Sequence, residues 1–240
     1  MKLKNLLVAA IAIPVVVSCQ NSNSKVGKVI LKSETDSLSY ALGVNIAGSF
    51  ENAKIDEINY KAMARAIQDF FSKDSSKIKM NDEEAVKYIQ DFFNRREMRL
   101  AQENLEASNK FLDENKTKEG VVVDSSGLQY KIIEEGTGLM PTAEDVVKVH
   151  YKGTLIDGTQ FDSSYDRGEP AQFKLNQVIP GWTIGLQKMK VGSKFILYIP
   201  SELGYGERVR PGSPIGPNQA LIFEVELLDI VKENAQDSKK

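Results

Sequence analysis

The chain of 240 residues holds one cysteine and one histidine. A single cysteine excludes an internal disulfide framework, and Cys19 with His150 are too few for a Cys/His zinc site. Any triad built on imidazole would have to use His150. Excess charge is also missing: 31 Lys and Arg against 33 Asp and Glu give a net charge of −2. That balance lacks the basic surplus needed against phosphate, so no nucleic-acid partner is expected. No apolar run reaches the roughly 20 residues that span a bilayer as a helix. What remains, 41% hydrophobic and 27% charged residues, describes a soluble chain able to bury one or two cores.

The longest apolar run, Leu6 to Val17, follows Lys2 and Lys4 and has the length of a signal-peptide core. It ends in Val16-Val17-Ser18-Cys19, which resembles the lipobox of bacterial lipoproteins, where cleavage leaves the cysteine as a lipid-bearing N-terminus. Residues 1–18 are therefore read as a signal peptide and 19–32 as a lipidated, polar tether. An ordinary secretory signal with an incidental cysteine is the alternative.

Proline is absent between Val15 and Met140, and 13 of the 17 glycines lie at Gly127 or later. Helices tolerate few of either residue, whereas short strands joined by tight turns need them, so the first half reads as helical and the second as β-rich. There is no internal repeat.

Leu38, Leu42, Ile46 and Phe50 recur every fourth residue behind Ser33 to Ser37, which predicts a capped amphipathic helix. Asn59 caps a second, with Met63, Ile67, Phe70 and Phe71 as its apolar face and an end near Ser72. Asn81-Asp82-Glu83-Glu84 opens a third that runs to about Asn115, some 52 Å at 1.5 Å per residue. Beyond Met98 its apolar positions thin out, which favours a solvated spacer over a continuous coiled coil. The roughly eighty residues of the helical half make only a marginal core by themselves, which burial against a second copy would remedy, so 33–80 is read as a dimerisation domain and 81–120 as a connecting helix.

In the second half, residues 127–133 read as a strand before the turn Glu134 to Gly138. Val147, Val149 and Tyr151 alternate with Lys148, His150 and Lys152, and the period of two returns in Phe195 to Ile199 and Leu221 to Leu227. Trp182 to Met189 has room for one short helix. The fold class is α+β: an antiparallel sheet wrapped around a short helix, preceded by an all-α segment.

Five blocks then stand in order: Val149-His150-Tyr151-Lys152-Gly153, Phe161-Asp162-Ser163-Ser164, Val178-Ile179-Pro180-Gly181-Trp182, Gly204-Tyr205-Gly206 and Leu221 to Leu227. Together they resemble the FKBP-type peptidyl-prolyl cis-trans isomerase domain, over residues 121–240. The helical half ahead of it resembles the layout of macrophage infectivity potentiator proteins and their periplasmic chaperone relatives. The resemblance implies an apolar cleft with Trp182 as its floor and Tyr151, Phe161, Phe173, Val178, Ile179 and Phe223 as its walls. It further implies that Ile215 is a rim residue and that Asp162, Tyr205 and the Ile179 N–H meet substrate carbonyls. Asp162 serves either transition-state electrostatics or the placing of Tyr151. Arg167 either pairs with a cleft carboxylate or lies on the surface, and His150 is structural. The segment Glu207 to Asn218 overhangs the cleft in the family; here it is one residue longer and has Gly216 where proline is more usual.

Rotation about an Xaa-Pro bond faces a barrier of about 18–20 kcal/mol and breaks no bond. Such a reaction calls for no metal and no cofactor, only a site that fits the twisted amide better than either planar form. The implied partners are proline-containing unfolded polypeptides, a second copy of the chain, and a membrane through the lipid anchor alone, on an outer membrane facing the periplasm. Two other functions compete with isomerisation: a holdase chaperone using the helical cradle, and an FKBP-fold binding module with little catalysis.

Overall fold

The computed structural model describes residues 27–209 and 212–231. The signal-peptide and Cys19 assignments lie outside the described residues. The chain divides into two compact units at Ala85/Val86.

In the first unit each helix starts where its cap chemistry dictates. Ser33 opens α1 (Glu34–Asn52) with a capping box: its Oγ accepts from the Asp36 N–H at 3.1 Å, and Asp36 accepts from the Ser33 N–H at 2.9 Å. Asn59 accepts from the Ala62 N–H at 3.1 Å and starts α2 (Tyr60–Phe71). Asn81 and Glu84 exchange bonds of 2.9 Å in both directions at the head of α3 (Asp82–Asn115), which runs on into the second unit. Between residues 27 and 85 the only buried residue is Asp69, held by Arg65 at 2.9 Å. No apolar side chain among residues 27–85 is buried within the chain, and Phe70 and Phe71 are 61% and 77% exposed.

In the second unit β1 (Val121–Val123), β2 (Gln129–Glu134), β3 (Val146–Leu155), β4 (Gln160–Ser163), β5 (Ala171–Lys174), β6 (Lys194–Ile199) and β7 (Leu221–Val231) form one antiparallel sheet. Its order is β1-β2-β6-β7-β3-β4, with β5 also paired to β3. The period of two in β6 and β7 buries Phe195, Leu197, Ile199, Leu221, Phe223, Val225 and Leu227 on one face. The short helix α4 (Pro180–Leu186) starts on Pro180, whose ring presets the helical φ. It packs on β6 through Gly181 and Gly185, where a Cβ would sit 2.5 Å from Ile199 and 2.7 Å from Leu197. The close approach seals Trp182 and Leu186 into the core.

The structure departs from the sequence reading at the end of α3. Instead of a solvated spacer, the helix seats Ser108, Leu112 and Asn115 in buried positions. Asn115 donates to Gln129 Oε1 at 3.0 Å, Gln129 donates back to the Leu112 carbonyl at 2.9 Å, and Phe111 packs on Tyr198 at 6.1 Å. Leu112 and Phe111 share the seam with small polar residues one turn apart, so much of its adhesion comes from hydrogen bonds and its apolar stripe is too thin to read. The strands β1, β4 and β5, of three or four residues each, are likewise too short to show an alternating pattern.

Candidate active site

Strand β3 turns Tyr151 inward opposite Val225, and sets Gly153 opposite Phe223 on β7. The glycine is forced: a Cβ there would lie 2.6 Å from the Phe161 ring and 2.8 Å from the Phe223 ring. Those rings meet edge to face at 5.4 Å. Trp182, carried by α4, is the hub of three further edge-to-face contacts, with Tyr151 at 5.1 Å, Phe223 at 5.2 Å and Phe173 at 5.3 Å. Rings locked in this way hold open a cavity of about 460 Å³.

All ten residues singled out for the cleft line this one cavity: Tyr151, Phe161, Asp162, Phe173, Val178, Ile179, Trp182, Tyr205, Ile215 and Phe223. Gln177, Ser213 and Pro214 also line it. Sequence reasoning did not single these three out: Gln177 adjoins Val178, and Ser213 and Pro214 lie in the overhanging segment just before Ile215. Trp182 is 3% exposed and Tyr205 49%, so the cavity runs from a dry floor to a wet mouth. The Trp182 Nε1 is the only buried side-chain polar atom without a hydrogen-bond partner among the described residues. An orphaned donor costs about 1–3 kcal/mol, and its presence here marks the floor as a desolvated surface.

The polar wall is a triangle. The Tyr151 hydroxyl donates to Asp162 Oδ2 at 2.5 Å, and Arg167 donates to Asp162 Oδ1 at 2.7 Å and to the Tyr151 oxygen at 2.9 Å. The Ser163 N–H adds a bond of 2.8 Å to Asp162. Partial burial pushes the Asp162 carboxyl up, but the Tyr151 hydroxyl and the bond and charge of Arg167 outweigh it and hold it below the usual carboxylate range. Burial, then the bond to Asp162, pushes the Tyr151 hydroxyl up. Arg167 therefore pairs with the cleft carboxylate while its side chain remains 45% exposed at the surface, so both of its sequence readings hold. His150 lies outside the cavity, bonded to Ser164 at 3.0 Å and stacked on Tyr165 at 4.7 Å.

Over 209 residues the chain is 42% identical to the outer membrane protein MIP of Legionella longbeachae, covering 84% of this chain and 88% of that protein. A family model described as FKBP-type peptidyl-prolyl cis-trans isomerase matches residues 138–228. The chain belongs to this family. A second model, described as the domain amino terminal to FKBP-type peptidyl-prolyl isomerase, matches residues 35–132 of this FKBP-type protein. The FKBP-type peptidyl-prolyl cis-trans isomerase FkpA of Escherichia coli is 38% identical, over 88% of this chain and 82% of its own. The crystal structure of FkpA superposes with a TM-score of 0.66, covering 84% of this chain and 98% of that one. The enzyme class is thus a peptidyl-prolyl cis-trans isomerase. No helix among the described residues is long and apolar enough to cross a membrane.

Proposed function

We propose that the Trp182 cavity is where this FKBP-type enzyme isomerises Xaa-Pro bonds, acting on exported polypeptides as they fold. The observation that supports this best is the dry aromatic floor itself. Twisting an amide out of plane removes its charge-separated resonance form, so the twisted state depends less on water than either planar state. A desolvated bowl favours it by that difference. The proline ring rests against Trp182, and the Xaa residue extends toward Ile215 and the mouth.

Fixed donors then orient the substrate backbone. No acceptor among the described residues takes the Ile179 N–H, which precedes α4, and the Tyr205 hydroxyl stands at the half-exposed mouth. Each bond contributes on the order of 1 kcal/mol. Asp162 acts as a positioning residue: with both its oxygens engaged by Tyr151, Arg167 and Ser163, it fixes the Tyr151 ring that walls the floor.

The remainder of the reading concerns location and assembly. Cleavage before Cys19 gives a lipid-anchored protein of the bacterial envelope, held at the outer membrane and facing the periplasm. Residues 33–80 form the dimer contact, as the exposed Phe70 and Phe71 and the lack of any buried apolar side chain in that unit support. The same uncovered faces favour, as a second reading, a holdase role in which the helices bind unfolded chains. The test is refolding of a protein limited by proline isomerisation, with the mature chain added in catalytic amounts. The slow phase is expected to speed up in proportion to enzyme. A chaperone alone would suppress aggregation and leave the slow rate unchanged.

A further inference from the structure

The rim of the cavity is tied to α3. Asn104 donates to the Pro217 carbonyl at 2.8 Å, and the Ser108 hydroxyl donates to the Asn218 carbonyl at 3.1 Å while accepting from the Ala220 N–H at 2.8 Å. Asn218, held at a left-handed φ of 56°, donates its amide to the Ala101 carbonyl at 3.4 Å and its N–H to the Gly206 carbonyl at 2.9 Å. One helix face thus holds the chain at Pro217, Asn218 and Ala220, just after the Ser213 to Ile215 stretch of the mouth, and through the Asn218 N–H reaches Gly206 beside Tyr205. The unusual glycine at position 216 fits the same contact. A Cβ there would lie 2.9 Å from the Asn104 amide nitrogen, so a side chain at this position and Asn104 compete for one space.

We propose that Asn104 and Ser108 are positioning residues of the isomerase, and that α3 sets substrate specificity by holding the Ile215 rim over the residue that precedes proline. The inference rests on the Trp182 cavity being the isomerase site. Ser108 is 2% exposed and Asn218 8%, so the two Ser108 bonds sit where water does not compete, while the Asn104 bond to Pro217 is part-buried. A rim fixed there keeps an apolar wall beside the Xaa side chain, which rewards a large Xaa and matters little for a small one.

The experiment measures cis-trans exchange of a Leu-Pro and an Ala-Pro tetrapeptide by NMR. The mature chain is compared with Asn104→Ala, Ser108→Ala, Gly216→Ala, the Asn104→Ala/Gly216→Ala double variant and Trp182→Ala, each with its thermal midpoint. Losing one anchoring bond is expected to lower kcat/KM for Leu-Pro about five-fold and for Ala-Pro less than about two-fold. The double variant is expected to be no worse than Gly216→Ala, because the amide that the new Cβ displaces is already gone. Two results overturn the inference while the cleft assignment stands: variants that match wild type on both peptides, or an equal loss on both that follows the thermal midpoint. If Trp182→Ala retains full activity, the cleft assignment fails and this inference with it.

Discussion

The Tyr151 hydroxyl and the Asp162 carboxylate meet at 2.5 Å across the wall of the cavity, with Arg167 bonded to both. The hydroxyl is spent on the protein, so Tyr151 contributes its ring to the cleft and its oxygen to fixing that ring. Tyr151→Phe and Asp162→Asn are each expected to lower kcat/KM about five-fold, near 1 kcal/mol at 1.36 kcal/mol per decade. Because the two act through one contact, the double variant is expected to lose no more than the worse single variant. Additive losses would show Asp162 acting on the substrate directly.

The pH dependence follows from the same triangle. A carboxyl held below its ordinary value contributes fully above about pH 4 and loses that contribution only as pH falls through the lowered value. The Tyr151 hydroxyl, pushed up by burial, stays protonated until pH rises past its raised value, above about 10. The kcat/KM of the isomerase is therefore expected to be flat from about pH 5 to pH 9, checked on a short Xaa-Pro peptide. A bell-shaped profile centred in that window would point to a titrating catalytic group that this site lacks.

Gly153 sets the spacing of the two rings across β3. Gly153→Ala forces a Cβ against Phe161 and Phe223, rings that are packed edge to face and have little room to yield. Overpacking of this kind costs about 1–3 kcal/mol, to be read from denaturant unfolding. Activity is expected to fall further than stability predicts, because the displaced rings are the cleft wall.

The first unit predicts its own oligomeric state. Phe71, 77% exposed beside Phe70, is expected to lie in the dimer contact, so Phe71→Asp is expected to shift the mature chain from dimer to monomer in sedimentation velocity. An unchanged dimer would move the contact elsewhere.

Sequence patterns carried the helix starts well, because Ser33, Asn59 and the Asn81/Glu84 pair are local signals that need no tertiary context. The long strands were legible for the same reason: a face buried along all of β3 and over Leu221 to Leu227 of β7 imposes a period of two. The cleft residues were legible through ordered motifs, and Trp182, Tyr151 and Phe223 could not have been separated from ordinary core aromatics by spacing alone. What stayed hidden was cooperative in space. The seam of Asn104, Ser108 and Asn115 consists of polar residues whose partners lie far along the chain or across a turn, and hydrogen bonding of that sort has no periodic signature. Arg167 was undecided for the same reason, since its pairing depends on where the chain after β4 turns back.

The most direct test of the account is cis-trans exchange of a Phe-Pro peptide by NMR line shape, with the mature chain, Trp182→Ala and Tyr205→Phe at equal, verified folding. The account predicts fast exchange with wild type, near-uncatalysed exchange with Trp182→Ala, and a loss of about five-fold with Tyr205→Phe, the worth of one hydrogen bond. Exchange that stays as fast with Trp182→Ala as with wild type would contradict it.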